Sequence, residues 1–192
     1  MTHDELLAAI SGLDPIRVEG TFERHTSLRW EELKGSAAGG RWGARRTHEV
    51  LYLGRPRESV VIEAYRHLVD DELDDAPALA ASVMERRIIT CSVDIPNVLD
   101  ARSAVTRAAL ALTDSQLFSD VGDYTPCQAV GAAAHEAGLA GLIAPSASAR
   151  GETLALFPAN LASEHVLEVT ARDIWRGLPP DPRRLRLVEE AG

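Results

Sequence analysis

The chain has 192 residues and a formal charge of −9, with 29 acidic against 20 basic side chains. That is the size of one domain. No apolar run approaches the roughly 18 residues of a membrane span, and the acidity argues against direct nucleic-acid binding, which needs a basic face. The opening MTHDELLAAISGLDP has no charged region followed by an apolar one, so the reading is a cytoplasmic protein without a secretory leader. Cys91 and Cys127 lack framework spacing and read as reduced core residues.

In chain order, residues 4–10 predict a short helix closed by Gly12 and Pro15, and 16–26 (IRVEGTFERHT) a strand carrying Arg24. Gly35 to Gly43 is a loop, and HEVLYLG (48–54) a short strand that Pro56 breaks. ESVVIEAYRHLV (58–69) follows as a helix, with Val61, Tyr65 and Leu68 at i, i+4 and i+7. After a solvated acidic run, 70–77, residues 78–86 suggest another helix, and RIITCSVDIP (87–96) a buried strand stopped by its proline. Residues 102–112 read as a helix, and Pro126 opens a small-residue helix that ends at Gly138. GLIAP and TLALFP are strands; EHVLEVTARDIW is a strand or a strand-to-helix segment. In the PPDPRRLR tail, Arg183→Lys and Arg184→Lys are expected to be silent. Short strands among single helices predict an α+β single domain, with a modest mixed sheet and flanking helices.

Arg41, Tyr52 and Glu63 stand at two successive eleven-residue spacings. They offer a cation in a glycine-rich loop, an aromatic on a strand and a carboxylate on a helix. Together they suit a site that holds a diphosphate, stacks a flat ring and stabilises positive charge on a sugar. Singly, each has a plainer role: a surface arginine beside a core Trp42, a packed tyrosine with a bonded hydroxyl, a glutamate paired with Arg66 or Arg57. GGRWG is neither a phosphate-binding P-loop nor a dinucleotide fingerprint. Ser146, after Pro145, is not in a nucleophile elbow. Neither His48-Glu49 nor His135-Glu136 extends to a metal-binding His-Glu-x-x-His, so no metal is expected.

Taken together, RHT (24–26), GGRW (39–42), VLYLG (50–54), ESVVIEAYRH (58–67), DYTPCQAVGAAA (123–134), GLIAPSA (141–147) and TLALFPANL (153–161) resemble the RES-domain toxins of RES–Xre toxin–antitoxin pairs. The resemblance covers a core of about 20–165 within one domain, leaving 166–192 as an extension. Arg41, Glu63 and Ser146 match the Arg, Glu and Ser of the family's name; Arg24 and Tyr52 match two more pocket positions. The chain departs at Gly43, where the family usually has asparagine.

The resemblance implies a fold like that of ADP-ribosyltransferases and cleavage of the nicotinamide–ribose bond of NAD⁺. The ADP-ribosyl group would pass to phosphate or water, as in an NAD⁺ phosphorylase or glycohydrolase. It further implies that Glu63 stabilises the oxocarbenium-like transition state, that Arg24 and Arg41 hold the pyrophosphate, and that Tyr52 stacks on the nicotinamide. Ser146 would orient a ribose hydroxyl or Glu63. NAD⁺ would be a substrate, with inorganic phosphate as co-substrate, and no other cofactor is expected. An Xre-type helix-turn-helix antitoxin would cover the cleft, with Arg24, Arg41, Arg45 and Arg46 forming a basic rim. The rivals are a mono-ADP-ribosyltransferase acting on a protein and a non-catalytic member that only binds an Xre-type regulator. Whether the chain forms a homo-oligomer is left open.

Overall fold

The computed structural model describes residues 1–30, 32–69, 80, 82–118 and 124–183. The acidic run 70–77 and residues 78, 79 and 81 of the expected helix at 78–86 lie outside them. Helix α1, His3–Ser11, starts in a reciprocal cap: Thr2 Oγ1 accepts from Glu5 N, and Glu5 accepts from Thr2 N. Its buried Leu6 and Ile10 belong to the same core as helix α5, Thr125–Glu136.

Six strands build one mixed sheet. The long strands β1 (Ile16–Ser27) and β3 (Arg86–Asp100) pair antiparallel from Ile16↔Val98 to Ser27↔Arg86. β2 (Leu51–Arg55), β5 (Glu152–Leu156) and β4 (Gly141–Pro145) form an antiparallel trio, and β4 joins the end of β3 in parallel at Val98–Asp100. β1 also meets β2 at Glu23↔Gly54, so the order β1–β2–β5–β4–β3 returns to β1. β6, Val166–Trp175, lies on the other edge of β3. The expected mixed α+β architecture is therefore present.

Strand alternation decides what each face buries. Leu51, Leu53, Leu154, Phe22 and Val93 point to one side and make a single apolar cluster. Tyr52, Ala155, Leu142 and Ala144 point to the other, against α1, α5, Trp42 and Phe157. Helix α2, Arg57–Leu68, lies over the β1 end of the sheet, and its Val61 and Tyr65 pack with Trp175 and Leu178. Among the described residues no helix is long and apolar enough to cross a membrane.

Two expectations fail for local reasons. β3 does not stop at Pro96. The register steps from Ile16↔Val98 to Val18↔Ile95, so β3 carries one extra residue there, and Asn97 takes a φ of 60°. A bulge leaves a residue unpaired, which is where a proline without an N–H is tolerated inside a strand. The helix expected over 102–112 is present but shorter, α3 (Ala104–Ala109), and a second short helix that was not expected, α4 (Asp114–Phe118), follows it. Ala111 at φ 52° ends the first. Thr113 and Gln116 cap the second reciprocally: Thr113 N donates to Gln116 Oε1 at 2.9 Å and Gln116 N to Thr113 Oγ1 at 3.4 Å. Cys91 and Cys127 are both buried thiols.

Candidate active site

Glu63 sits in the middle of α2, and Ser146 follows the last residue of β4. Ser146 is fully buried, and its hydroxyl donates to Glu63 Oε1 at 3.0 Å. A serine has one hydroxyl proton, so its lone pairs are left to accept, and Ser148 N donates to Ser146 Oγ at 3.2 Å. Ser148 Oγ lies 2.9 Å from Ser146 Oγ and 3.4 Å from Ser59 Oγ. Ser59 is itself buried, one helical turn before Glu63. A chain of hydroxyls therefore ties the 146–151 turn to the face of α2 that carries the carboxylate.

The turn is also wedged from behind. A Cβ on Gly151, whose φ is +69°, would lie 2.1 Å from Arg55 O, so only glycine allows the backbones to come this close. Arg55 and Arg102 share Glu152 on β5, and Arg102 also binds Asp100 at 2.8 Å. Those pairs hold the base of the turn to β2 and to the end of β3.

The Glu63 side chain is one-quarter exposed. Its Oε1 is oriented by Ser146, and Arg66 Nη1 stands at 4.0 Å. Its Oε2 faces His67 Nε2 at 3.9 Å. Arg57, the other expected partner, instead forks onto Glu23 with three bonds of 2.5 to 3.0 Å.

Arg41 and Tyr52 form the second pair. Tyr52 rises from β2 beneath the glycine loop, where a Cβ on Gly40 would lie 2.7 Å from its hydroxyl. That hydroxyl accepts from Trp42 N at 2.9 Å, and Trp42 is buried, as its plainer reading expects. Burial pushes the Tyr52 phenol up to about 12, so it is neutral and remains a donor. The Arg41 guanidinium lies close enough to oppose that shift. It donates to Gln116 O at 2.9 Å and stands 4.8 Å above the Tyr124 ring. α4 and the start of α5 thus aim the arginine. Helix α5 presses on the loop as well, since a Cβ at Gly131 would lie 2.0 Å from Trp42 O.

Arg24 is placed apart from these pairs. It follows Glu23 on β1, so the two side chains leave on opposite faces, and its Nη1 donates to Lys34 O at 2.8 Å. Burial lowers its pKa. It makes no hydrogen bond to the other four residues. His25, its neighbour in RHT, is the one on Glu23's face toward α2, and sequence reading passed over it. Ser59 could have been found, because it precedes Glu63 by four residues on one helix face. Ser148, Gln116 and Tyr124 could not, since only the tertiary fold brings them in.

The RES domain family matches residues 15–177. The chain belongs to that family. It is 35% identical over 109 residues to the protein named Probable NAD(+) phosphorylase Rv3189 of Mycobacterium tuberculosis (strain ATCC 25618 / H37Rv), a match covering 56% of this chain and 48%, about half, of that protein. It is 26% identical over 151 residues to NAD(+) phosphorylase MbcT of Mycobacterium bovis, covering 76% of this chain and 77% of the relative. The fold matches the crystal structure of the M. tuberculosis MbcT–MbcA toxin–antitoxin complex with a TM-score of 0.78 at 24% identity, over 90% of this chain and 92% of that one.

Proposed function

We propose that this chain is the toxin of a toxin–antitoxin pair and that it splits NAD⁺ between nicotinamide and ribose, passing the ADP-ribosyl group to inorganic phosphate. The observation that carries the reading is the Glu63–Ser146 couple: a partly exposed carboxylate fixed by a buried hydroxyl. When the bond to a pyridinium breaks, its electron pair leaves with nicotinamide and the ribose becomes oxocarbenium-like. A carboxylate that is already oriented stabilises that charge without reorganising, which makes it worth more than a mobile one. A phosphate oxygen then forms the new bond to the ribosyl carbon.

Arg41 supplies a fork suited to a phosphate oxygen pair, and Tyr52 supplies a neutral ring and hydroxyl on the neighbouring strand. The phosphate acceptor is favoured by the relatives, which are named as phosphorylases. An ADP-ribosyltransferase-like fold and an Xre-type antitoxin over the cleft belong to the same reading. Purified protein incubated with NAD⁺ tests it. Nicotinamide release should be fast with phosphate and slow without it, and the phosphorylated ADP-ribose should appear in step. Release at one rate with or without phosphate would replace phosphorolysis by hydrolysis, and no release without an added protein would favour protein modification.

A further inference from the structure

Arg86 stands outside the constellation above. It opens β3 at the pair Ser27↔Arg86, on the face that also carries Glu23 and His25. On its other edge it pairs with Trp175 of β6. The carboxylates of this region are already engaged: Glu23 is gripped by Arg57, and Asp173 also turns to Arg57, at 3.9 Å. Among the described residues no carboxylate pairs with Arg86. Its Nε–H is buried without a hydrogen-bond partner, although a buried donor is nearly always matched. Among the described side chains its partner is a neutral ring: Nη2 donates to His25 Nδ1 at 3.3 Å.

That bond settles the state of His25. With Nδ1 accepting, the ring carries its proton on Nε2 and is a donor at the opposite edge. The ring is held stacked, 6.4 Å from Trp175. Burial and the positive charges of Arg86, His67 and Arg24 all resist a second proton. His67 lies between this group and the chemistry, its Nε2 3.9 Å from Glu63 Oε2. A guanidinium with no counter-ion among the described residues and a fixed N–H donor therefore meet the field of an exposed imidazole, His67, which itself faces Glu63, on a chain whose net charge is −9.

The geometry points to a subsite for a tetrahedral oxyanion at Arg86, His25 and His67, which holds the inorganic phosphate that accepts the ribosyl group. This deepens the proposed phosphorolysis and rests on it for the identity of the anion. Nucleophile and carboxylate would stand on one side of α2, with Arg41 and Tyr52 left to the dinucleotide. The two arginines divide the anions between them, so that phosphate and pyrophosphate do not compete for one cation.

The test compares parent, Arg86→Gln, His67→Gln and, as a control, Arg87→Gln, whose guanidinium donates to Trp30 O instead. Phosphate binding is followed by ³¹P NMR at constant ionic strength, and turnover by varying phosphate and NAD⁺ separately. Arg86→Gln should raise the phosphate KM and weaken phosphate binding by on the order of tenfold, as expected for a lost charge-assisted contact. Its KM for NAD⁺ should stay within about twofold of the parent. His67→Gln, on an exposed side chain, should move phosphate in the same direction if Arg86→Gln does not fold. A folded Arg86→Gln with parental phosphate binding overturns the proposal, and so does a rise in the KM for NAD⁺ alone, which would assign the cations to the dinucleotide. If the parent binds phosphate through Arg86 yet leaves NAD⁺ intact, the subsite stands and the proposed reaction fails.

Discussion

His25 is a residue whose neighbours fix its protonation. An unfolded chain protonates a histidine near 6.5. Here burial first, then the charges of Arg86, His67 and Arg24, lower it to about 3. Between those values the unfolded chain binds a proton that the folded chain refuses. The stability contributed by the neutral ring is therefore complete above about 6.5 and is lost as the pH falls toward 3. Melting temperatures of the parent should decline between pH 7 and 5 more steeply than those of His25→Gln. Parallel curves would mean that His25 is as easily protonated in the fold as outside it. Tyr52 shows the same burial acting on an acid, and it keeps the phenol neutral throughout this range. Arg41, Tyr52 and Glu63 drew notice in the sequence by their spacing, and Arg24 and Ser146 by the family resemblance, although each alone has a plainer role. Ser148 and Arg86 could not, because an isolated serine in a turn and an arginine before a strand carry no signal until the fold supplies neighbours.

At the scale of elements, the glycine loop and α2 are the two supports of the site, and both depend on close contacts. Gly43 departs from the asparagine that the family resemblance leads one to expect, and Val50, just before β2, closes over it. A Cβ at Gly43 would sit 2.6 Å from Val50 Cγ2, and Val50 is buried. The valine fills the space that a larger residue at 43 would occupy, so a side chain there would have to displace it. Gly43→Asn should destabilise the fold by about 1–3 kcal/mol, the scale of overpacking a filled core. Adding Val50→Ala should recover part of that loss. Urea unfolding measures both; equal stability of the single variant and the parent would show that the loop is free to move away. The elements themselves were largely legible: α1, β1, α2 and α5 follow their periodicity and the glycines and prolines that bound them. β3 ran past Pro96 because a bulge, invisible in composition, removed the hydrogen bond that proline cannot make.

At the scale of the molecule, the ring closure by β1 was not legible, since strand order depends on long-range pairing. The C-terminal segment is likewise more engaged than its composition implied. Arg183 forks onto the buried Asp181 and stands 5.7 Å over the Tyr65 ring, while Tyr65 donates to Pro179 O. It is thus no free-tail arginine, and with Pro179 it fastens residues 179–183 to α2, two residues from Glu63, whereas Arg184 lies outside the described residues. Of the expected basic rim, Arg45 and Arg46 are exposed, whereas Arg41 and Arg24 are half-buried and bonded to carbonyls. An acidic antitoxin segment would therefore meet Arg45 and Arg46 first, where charge steers association more than it adds affinity. Expression of the parent alone should arrest bacterial growth, and co-expression of its antitoxin should restore it. Normal growth with abundant folded protein would turn the reading toward a regulator-binding member without catalysis.

The central claim is that the Glu63 carboxylate, held by Ser146, stabilises the ribosyl charge. Nicotinamide release from NAD⁺ by Glu63→Gln, at saturating phosphate, tests it most directly. The substitution keeps the size of the side chain and a hydrogen-bonding oxygen but removes the charge. Turnover should therefore fall on the order of a hundredfold or more, while NAD⁺ binding changes little. A Glu63→Gln enzyme that releases nicotinamide at the parental rate would contradict the account.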